Sequence, residues 1–186
     1  MARHHDNARE RILDGFEDAL ITNGDAQVTL EGVAKHVGLT KGGLLYHFGS
    51  RAALVAGLVE RFQERSAEDL VLMADSPGGA ALDYLEVGDY LTNPLHRTTL
   101  AMTQLSNSEP TAAAPLGRSR TEELAVITAD LGDPTLARLT MLVADGLYFQ
   151  AMTAPVADPA HTEAPNDAAV TWFIQRVLGV HVAKQD

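Results

Sequence analysis

The sequence contains no cysteine. That excludes a disulfide framework, a thiolate metal site, and a cysteine nucleophile or redox switch. No uninterrupted apolar stretch approaches the roughly 18–20 residues that cross a bilayer, so no membrane partner is expected. The N-terminal Met1-Ala2-Arg3-His4-His5-Asp6-Asn7 is polar and leads into no apolar signal region, which makes a soluble cytoplasmic location the expectation. Positive charge is also scarce: 14 Lys and Arg stand against 25 Asp and Glu, a net charge of −11. Coating nucleic acid or anionic lipid through bulk charge is thereby excluded.

What remains is an ordinary globular composition, 46% hydrophobic over 186 residues, enough for one domain or two small ones. Apolar residues recur at spacings of three and four, and period-2 alternation is rare, so the chain reads as all-α. About nine helices are expected, at 8–22, 30–37, 41–47, 51–74, 80–91, 95–106, 116–131, 134–153 and 167–179. Gly24 after Asn23 stops the first, Ser50 suits the N-cap of the long helix, and Pro134 suits a first turn. Ser76-Pro77-Gly78-Gly79 and Asn93-Pro94 are breaks, and Ala154 to Asn166, with three prolines, reads as a loop.

The charge is unevenly spread. Residues 1–65 carry 8 basic and 9 acidic residues, a net of −1, which leaves −10 for residues 66–186. Residues 32–59 contain no acid at all, but do contain Lys35, Lys41 and Arg51. At the chain's own average this window would hold about four acids (28 × 25/186).

The acid-free window coincides with a helix-turn-helix pattern. Leu30, Val33, Ala34 and Val37 form one apolar face, and Thr29 is placed to cap that helix. Gly38 allows the sharp turn, Leu39 tucks back into the core, and Thr40 caps the second helix. A small residue at 34 lets the two helices cross closely. The helix 41–47 would then lie in a major groove with its first residues near base edges.

The stretch Thr29 to Leu54, including Val33-Ala34-Lys35-His36-Val37-Gly38-Leu39-Thr40-Lys41-Gly42-Gly43-Leu44-Leu45-Tyr46-His47-Phe48-Gly49-Ser50-Arg51, closely resembles the DNA-binding domain of TetR-family (tetracycline-repressor-like) transcriptional regulators. Arg11-Ile12-Leu13, Phe16 and Gly24 also fall where that family's first helix places them. The resemblance implies that Thr29, Tyr46, His47 and Arg51 contact phosphates, with Arg51 standing where the family more often has Lys. It implies that Lys41, Gly42, Gly43 and Leu45 face the bases, with the cap Thr40 beside them. Lys41 can donate to guanine acceptors and Leu45 can meet a thymine methyl. Gly43 replaces a frequent Thr, Ser or Ala, and Leu45 a frequent Tyr, which leaves the operator sequence open.

For the remainder, the resemblance implies a C-terminal half that binds a small-molecule effector and forms a homodimer. Ala169, Val170, Phe173, Ile174, Val177 and Leu178 make an apolar stripe compatible with half of an intermolecular four-helix bundle, or with packing inside one subunit. Val170, Phe173, Ile174 and Val177 are the candidate dimer contacts. Met141, Asp145, Tyr148, Phe149 and Met152 share a helix face that mixes soft apolar groups with a carboxylate and a phenol. Tyr84, Met102, Leu105 and Trp172 could complete such a wall, although a Met and aromatic stripe is equally the composition of a core. No catalytic constellation, metal-ligand spacing, phosphate-cradling loop or cofactor motif is present in the sequence, so neither an enzyme nor a cofactor is expected.

The expected architecture is therefore a three-helix DNA-binding domain over 1–50 and an effector-binding and dimerisation domain over 51–186, with 51–74 as the connecting helix. The expected function is a ligand-responsive regulator, a repressor that binds a palindromic double-stranded DNA operator as a homodimer and is released by its effector. The alternative is a small-molecule-binding or structural helical protein without specific operator recognition.

Overall fold

The computed structural model describes residues 2–85 and 93–153, with positions 172, 176 and 177, and their side chains from residue 8 to 149 and at those three positions. The described residues form eight α-helices and one 3-10 turn, with no strand. They run α1 (Ala2–Asn23), a 3-10 turn (Asp25–Gln27), α2 (Leu30–His36), α3 (Lys41–His47), α4 (Arg51–Ala74), α5 (Ala80–Leu85), α6 (Pro94–Ser106), α7 (Pro110–Leu131) and α8 (Pro134–Thr153). The helix expected at 167–179 and the loop at 154–166 lie outside the described residues, apart from the three single positions.

Two compact units divide the chain, and the cut falls within α4 and within α7. The first holds residues up to 68 together with 93–119; the second holds 69–85 and 120–153. This physical division differs from the functional cut expected at residue 50, because α6 and the start of α7 pack with the N-terminal helices.

In the first unit, Ile12, Leu13, Phe16 and Leu20 line one face of α1 and are buried with Val33 and Ala34 of α2 and Leu44 of α3. Leu54, Val55, Leu58 and Phe62 of α4 and Ala101, Met102 and Leu105 of α6 complete this core. Local chemistry sets the short helices. Thr29 Oγ1 accepts from the Gly32 amide at 3.1 Å, Thr40 Oγ1 from Gly43 at 3.0 Å, and Ser50 Oγ from Ala53 at 3.1 Å. Gly38 takes φ 72°, a left-handed turn that a β-carbon would disfavour, and the chain reverses so that the Leu39 amide reaches the Ala34 carbonyl at 2.8 Å.

A buried charge holds three helices of this unit together. Glu17 of α1 is 1% exposed. Its Oε1 accepts from Arg61 at 3.1 Å and Arg65 at 3.2 Å on α4, and from the Thr98 hydroxyl at 2.9 Å on α6. Its Oε2 lies 3.5 Å from Arg97 Nε, also on α6. Arg61 is itself buried and also donates to Asp14 at 2.8 Å and to the Glu10 carboxylate at 2.5 Å. Burial pulls its pKa down, but Glu17, Glu10 and Asp14 more than offset that, and it ends above the usual guanidinium value.

The second unit is built on Ala80, Ala81 and Leu85 of α5 against Ala137, Met141, Ala144 and Leu147 of α8, with Met73 and Ile127 beside them. Asp133 caps α8, accepting from the Thr135 amide at 2.7 Å and the Leu136 amide at 3.2 Å, with Pro134 in the first turn as expected. The start of α7 differs from expectation. It begins at Pro110 rather than 116, and Pro115 sits inside it. A proline near a helix N-terminus removes only one backbone donor, and the alanines at 112–114 favour helix strongly enough to continue through it.

Two outcomes test this packing. Replacing Glu17 by Ala leaves the buried Arg61 short of its principal counter-ion and should lower unfolding stability by about 3 kcal/mol in urea titrations. Gly57 is helical, so Gly57→Ala would ordinarily stabilise, but an added Cβ would stand 2.7 Å from the buried Phe48 ring. The expected result is a net loss of about 2 kcal/mol by the same titration, and a gain would show that Phe48 can move aside.

Candidate nucleic-acid interface

The only fully buried residue of α3 is Leu44, which roots the helix in the first unit's core. The surrounding side chains are thereby turned outward. Lys41, Gly42 and Tyr46 are exposed, Gly43, Leu45 and His47 are half-buried, and Thr29 and Thr40 are exposed caps. Tyr46 is 76% exposed, unusually open for an aromatic residue, and its ring stands edge-on to His47 at 5.3 Å between centroids. The His47 carbonyl accepts from Arg9 at 3.3 Å, and the same guanidinium lies 4.4 Å from the Phe48 ring, which ties the end of α3 back to α1.

The paired glycines do not answer a backbone need. Neither Gly42 nor Gly43 has positive φ. A Cβ at 42 would meet nothing nearer than the Thr40 hydroxyl at 3.9 Å, and one at 43 would meet it at 3.3 Å. Their effect is a helix surface with no side chain in its first turn beyond Lys41.

Behind α3, α1 and α2 are held closely. A Cβ on Gly15 would fall 2.3 Å from Val37 Cγ1, and His36 Nε2 lies 3.2 Å from Asp18. The Arg11 guanidinium donates to the Val37 carbonyl at 2.7 Å. Sequence reasoning did not single out Gly15; its signal would have been a glycine in mid-helix facing an apolar stripe. Arg51, expected at a phosphate, is half-buried, and its guanidinium is paired with Asp25 and with the Val28 carbonyl at 3.2 Å.

The second unit brings some of the effector candidates together. Tyr84 Oη donates to Glu123 at 3.1 Å and accepts from Arg120, whose other arm reaches Asp145 at 2.5 Å. Burial, and then the Glu123 carboxylate, push the Tyr84 phenol well above its usual pKa. Arg120 and Glu123 lie outside the aromatic and Met pattern of the sequence; an i, i+3 Arg/Glu pair was their only signal. Tyr148 is half-buried with its pKa raised by burial, Phe149 is 65% exposed, and Met141 is core. Met102 and Leu105 are fully buried in the core of the first unit. Trp172 is exposed and Val177 half-buried, while the Met152 side chain and Val170, Phe173 and Ile174 lie outside the described residues. A groove of about 240 Å³ in the first unit, lined by Asp18, Thr22, Gln27, Thr29 and His36, is smaller than typical effector cavities.

The family described as bacterial regulatory proteins, tetR family, matches residues 12–58. The match covers these residues, about a quarter of the 186-residue chain, and makes them a tetR-family segment. The tetR-family segment runs from the core face of α1 to Leu58 of α4 and so contains the whole helix-turn-helix. A protein from Rhodococcus sp. assigned to the TetR-family transcriptional regulators is similar in structure, with TM-score 0.57 and 19% identity over 76% of this chain and 86% of that one. The multidrug binding protein EbrR complexed with imidazole has TM-score 0.56 and 20% identity, over 95% and 97% of the two chains. EbrR complexed with ethidium has TM-score 0.56 and 21% identity, over 94% and 99%. At these identities the likeness beyond the tetR-family segment is one of fold. No curated protein matches the sequence. No helix among the described residues is long and apolar enough to cross a membrane.

The acidic side of the second unit gives a pH prediction. Burial, reinforced by Glu123 and Asp83, raises the pKa of Asp69. The folded state therefore holds the Asp69 proton more tightly than the unfolded chain does, and the stability this gives at low pH is lost as pH rises through the raised value. Asp69→Asn should consequently stabilise the protein at pH 7, with the gain shrinking toward about pH 4, the ordinary Asp range. An equal gain in urea midpoint at both pH values would contradict this account.

Proposed function

We propose that this chain is a tetR-family, ligand-responsive DNA-binding regulator, a cytoplasmic repressor that reads a palindromic operator as a homodimer. The observation that carries the reading is the outward surface of α3. A helix capped by Thr40 and rooted by Leu44 presents Lys41, Gly42 and Tyr46 to solvent inside a window with no acidic residue. Residues 1–50 would read the DNA, with Thr29, Tyr46 and His47 at phosphates and Lys41, the paired glycines and Leu45 toward base edges. With no side chain in its first turn beyond Lys41, α3 can bring its backbone close to the groove floor.

Residues 51–186 would bind the effector and form the dimer. The linked Tyr84, Arg120 and Asp145 offer phenol, guanidinium and carboxylate groups to a small polar or aromatic molecule. The likeness to EbrR, whose structures carry imidazole and ethidium, supports a small-molecule effector here. Leu139, Leu142 and Phe149 expose an apolar stripe on α8 that a second copy could cover. A dimer sets two recognition helices about 34–36 Å apart, matched to successive turns of B-DNA. An effector releases DNA only to the extent that it binds the mismatched conformation better than the matched one.

Selection of bound duplexes from a random pool tests the reading directly. The expected outcome is a palindrome, and recovery of no duplex above random competitor would leave the alternative, a helical ligand-binding protein without operator recognition. Lys41→Ala should change the base preferred at particular operator positions by about 1–3 kcal/mol, and uniform weakening at every base would remove Lys41 from the base-reading set.

A further inference from the structure

Arg51 is the first residue of α4, and its side chain turns back into the first unit. Nη2 donates to Asp25 Oδ1, Nη1 donates to the Val28 carbonyl at 3.2 Å, and Cζ lies 5.9 Å from the centroid of the Phe16 ring. Asp25 opens the 3-10 turn, and its second oxygen, Oδ2, accepts from the Ser108 hydroxyl in the turn between α6 and α7. Both oxygens of this carboxylate are therefore engaged, and its side chain is 15% exposed.

The connection has a specific topology. Val28 immediately precedes Thr29, the cap with which the helix-turn-helix begins, and Arg51 immediately follows Ser50, the cap with which it ends. One guanidinium thus ties the entry of the element to its exit, across 23 residues of chain. The planar fork of Arg spans a carboxylate and a carbonyl at once; a Lys ammonium is a single compact charge on a flexible stem. A phosphate would have to compete for this guanidinium with an internal anion already fixed by Ser108.

We infer that Arg51 and Asp25 form a clamp that holds the helix-turn-helix at its reading angle, so that Arg51 is a positioning residue for DNA binding and not a phosphate contact. The inference rests on reading residues 29–51 as the operator-binding element. It assigns Asp25 and Ser108, which lie outside the helix-turn-helix, to the same task.

The experiment uses the full chain and four variants, Arg51→Ala, Arg51→Lys, Asp25→Ala and the Asp25→Ala/Arg51→Ala double, each first shown to be folded by circular dichroism. Binding to the selected operator and to a random duplex is followed by fluorescence anisotropy across a salt series. Each single variant should lose about tenfold in operator affinity, as expected for a severed charge-assisted hydrogen bond, with random-duplex affinity and salt slope unchanged. The double variant should bind no worse than Arg51→Ala. A phosphate contact predicts the opposite pattern. Arg51→Ala would then weaken both duplexes and lower the salt slope by about 0.9, Arg51→Lys would bind like the parent, and Asp25→Ala would bind more tightly. Any of those three results overturns the clamp.

Amide hydrogen exchange without DNA separates the clamp from the operator reading. The Val28 amide, bonded to the Asp25 carbonyl at 3.1 Å, should exchange faster in every variant, and unchanged exchange sinks the clamp whether or not an operator is found. If no duplex is selected but Val28 exchanges faster, the operator reading fails and the clamp stands as an internal brace. Should Arg51→Ala fail to fold, Arg51→Lys, which keeps the charge and the stem, carries the same test.

Discussion

A carboxylate sealed from water dictates how the first unit is put together. A carboxylate at 1% exposure needs partners for its oxygens, and those of Glu17 come from outside α1. Arg61 and Arg65, one helical turn apart on α4, supply two guanidinium groups; Thr98 and Arg97 on α6 supply the rest. The arrangement fixes the register of three helices, because sliding any one by a turn strands a charge. Apolar packing of Ile12, Phe16, Leu58 and Leu105 could tolerate several sliding positions, whereas the ion cluster accepts one. The orientation of α2 and α3, packed on α1, follows from it.

Much of this was legible in the sequence where the cause is local. The caps Thr29, Thr40 and Ser50, the turn glycine at 38, the span 51–74 and the proline start of α8 each depend on residues within a few positions, and each stands where the pattern put it. What escaped was non-local. Glu17, Arg61 and Arg97 read as ordinary polar positions on amphipathic helices, since a linear pattern cannot tell a solvated charge from a buried partnered one. Met102 and Leu105 read equally well as pocket or core, and their neighbours across the fold decided for core. Arg51 was read by its place in a motif, while its contacts depend on Asp25, 26 residues away. Pro115 looked like a boundary because a proline rule knows nothing of the alanines and buried surface that carry α7 through it.

The segregation of charge acquires a physical form in the structure. In the first unit several acids are paired with arginines: Glu10, Asp14 and Glu17 with Arg61, Asp18 with Arg97, and Asp25 with Arg51. The face that holds Lys41 is left without an acid of its own segment. In the second unit carboxylates outnumber their cations; burial, with Glu123 and Asp83 nearby, raises the cost of ionising Asp69, and Arg120 joins Glu123 and Asp145. A net charge of −11 is therefore compatible with a DNA-facing surface, since internal pairing neutralises one unit while the other keeps the excess.

The discontinuity of the first unit governs the order in which this protein can be made. Thr98 stands 81 positions from the Glu17 carboxylate it helps to satisfy. A nascent chain that has released only α1 to α4 exposes Glu17, Phe62 and the α1 face without α6 to cover them. Closing a flexible loop of that length costs about 4 kcal/mol of chain entropy, reduced by the helices already formed within it. Emergence of α6 from the ribosome thus becomes the committing event, and until then the N-terminal helices are a ready substrate for chaperones and proteases. A protein built this way gains a quality check during synthesis: a chain cut short before α6 lacks part of the core in which α3 is rooted.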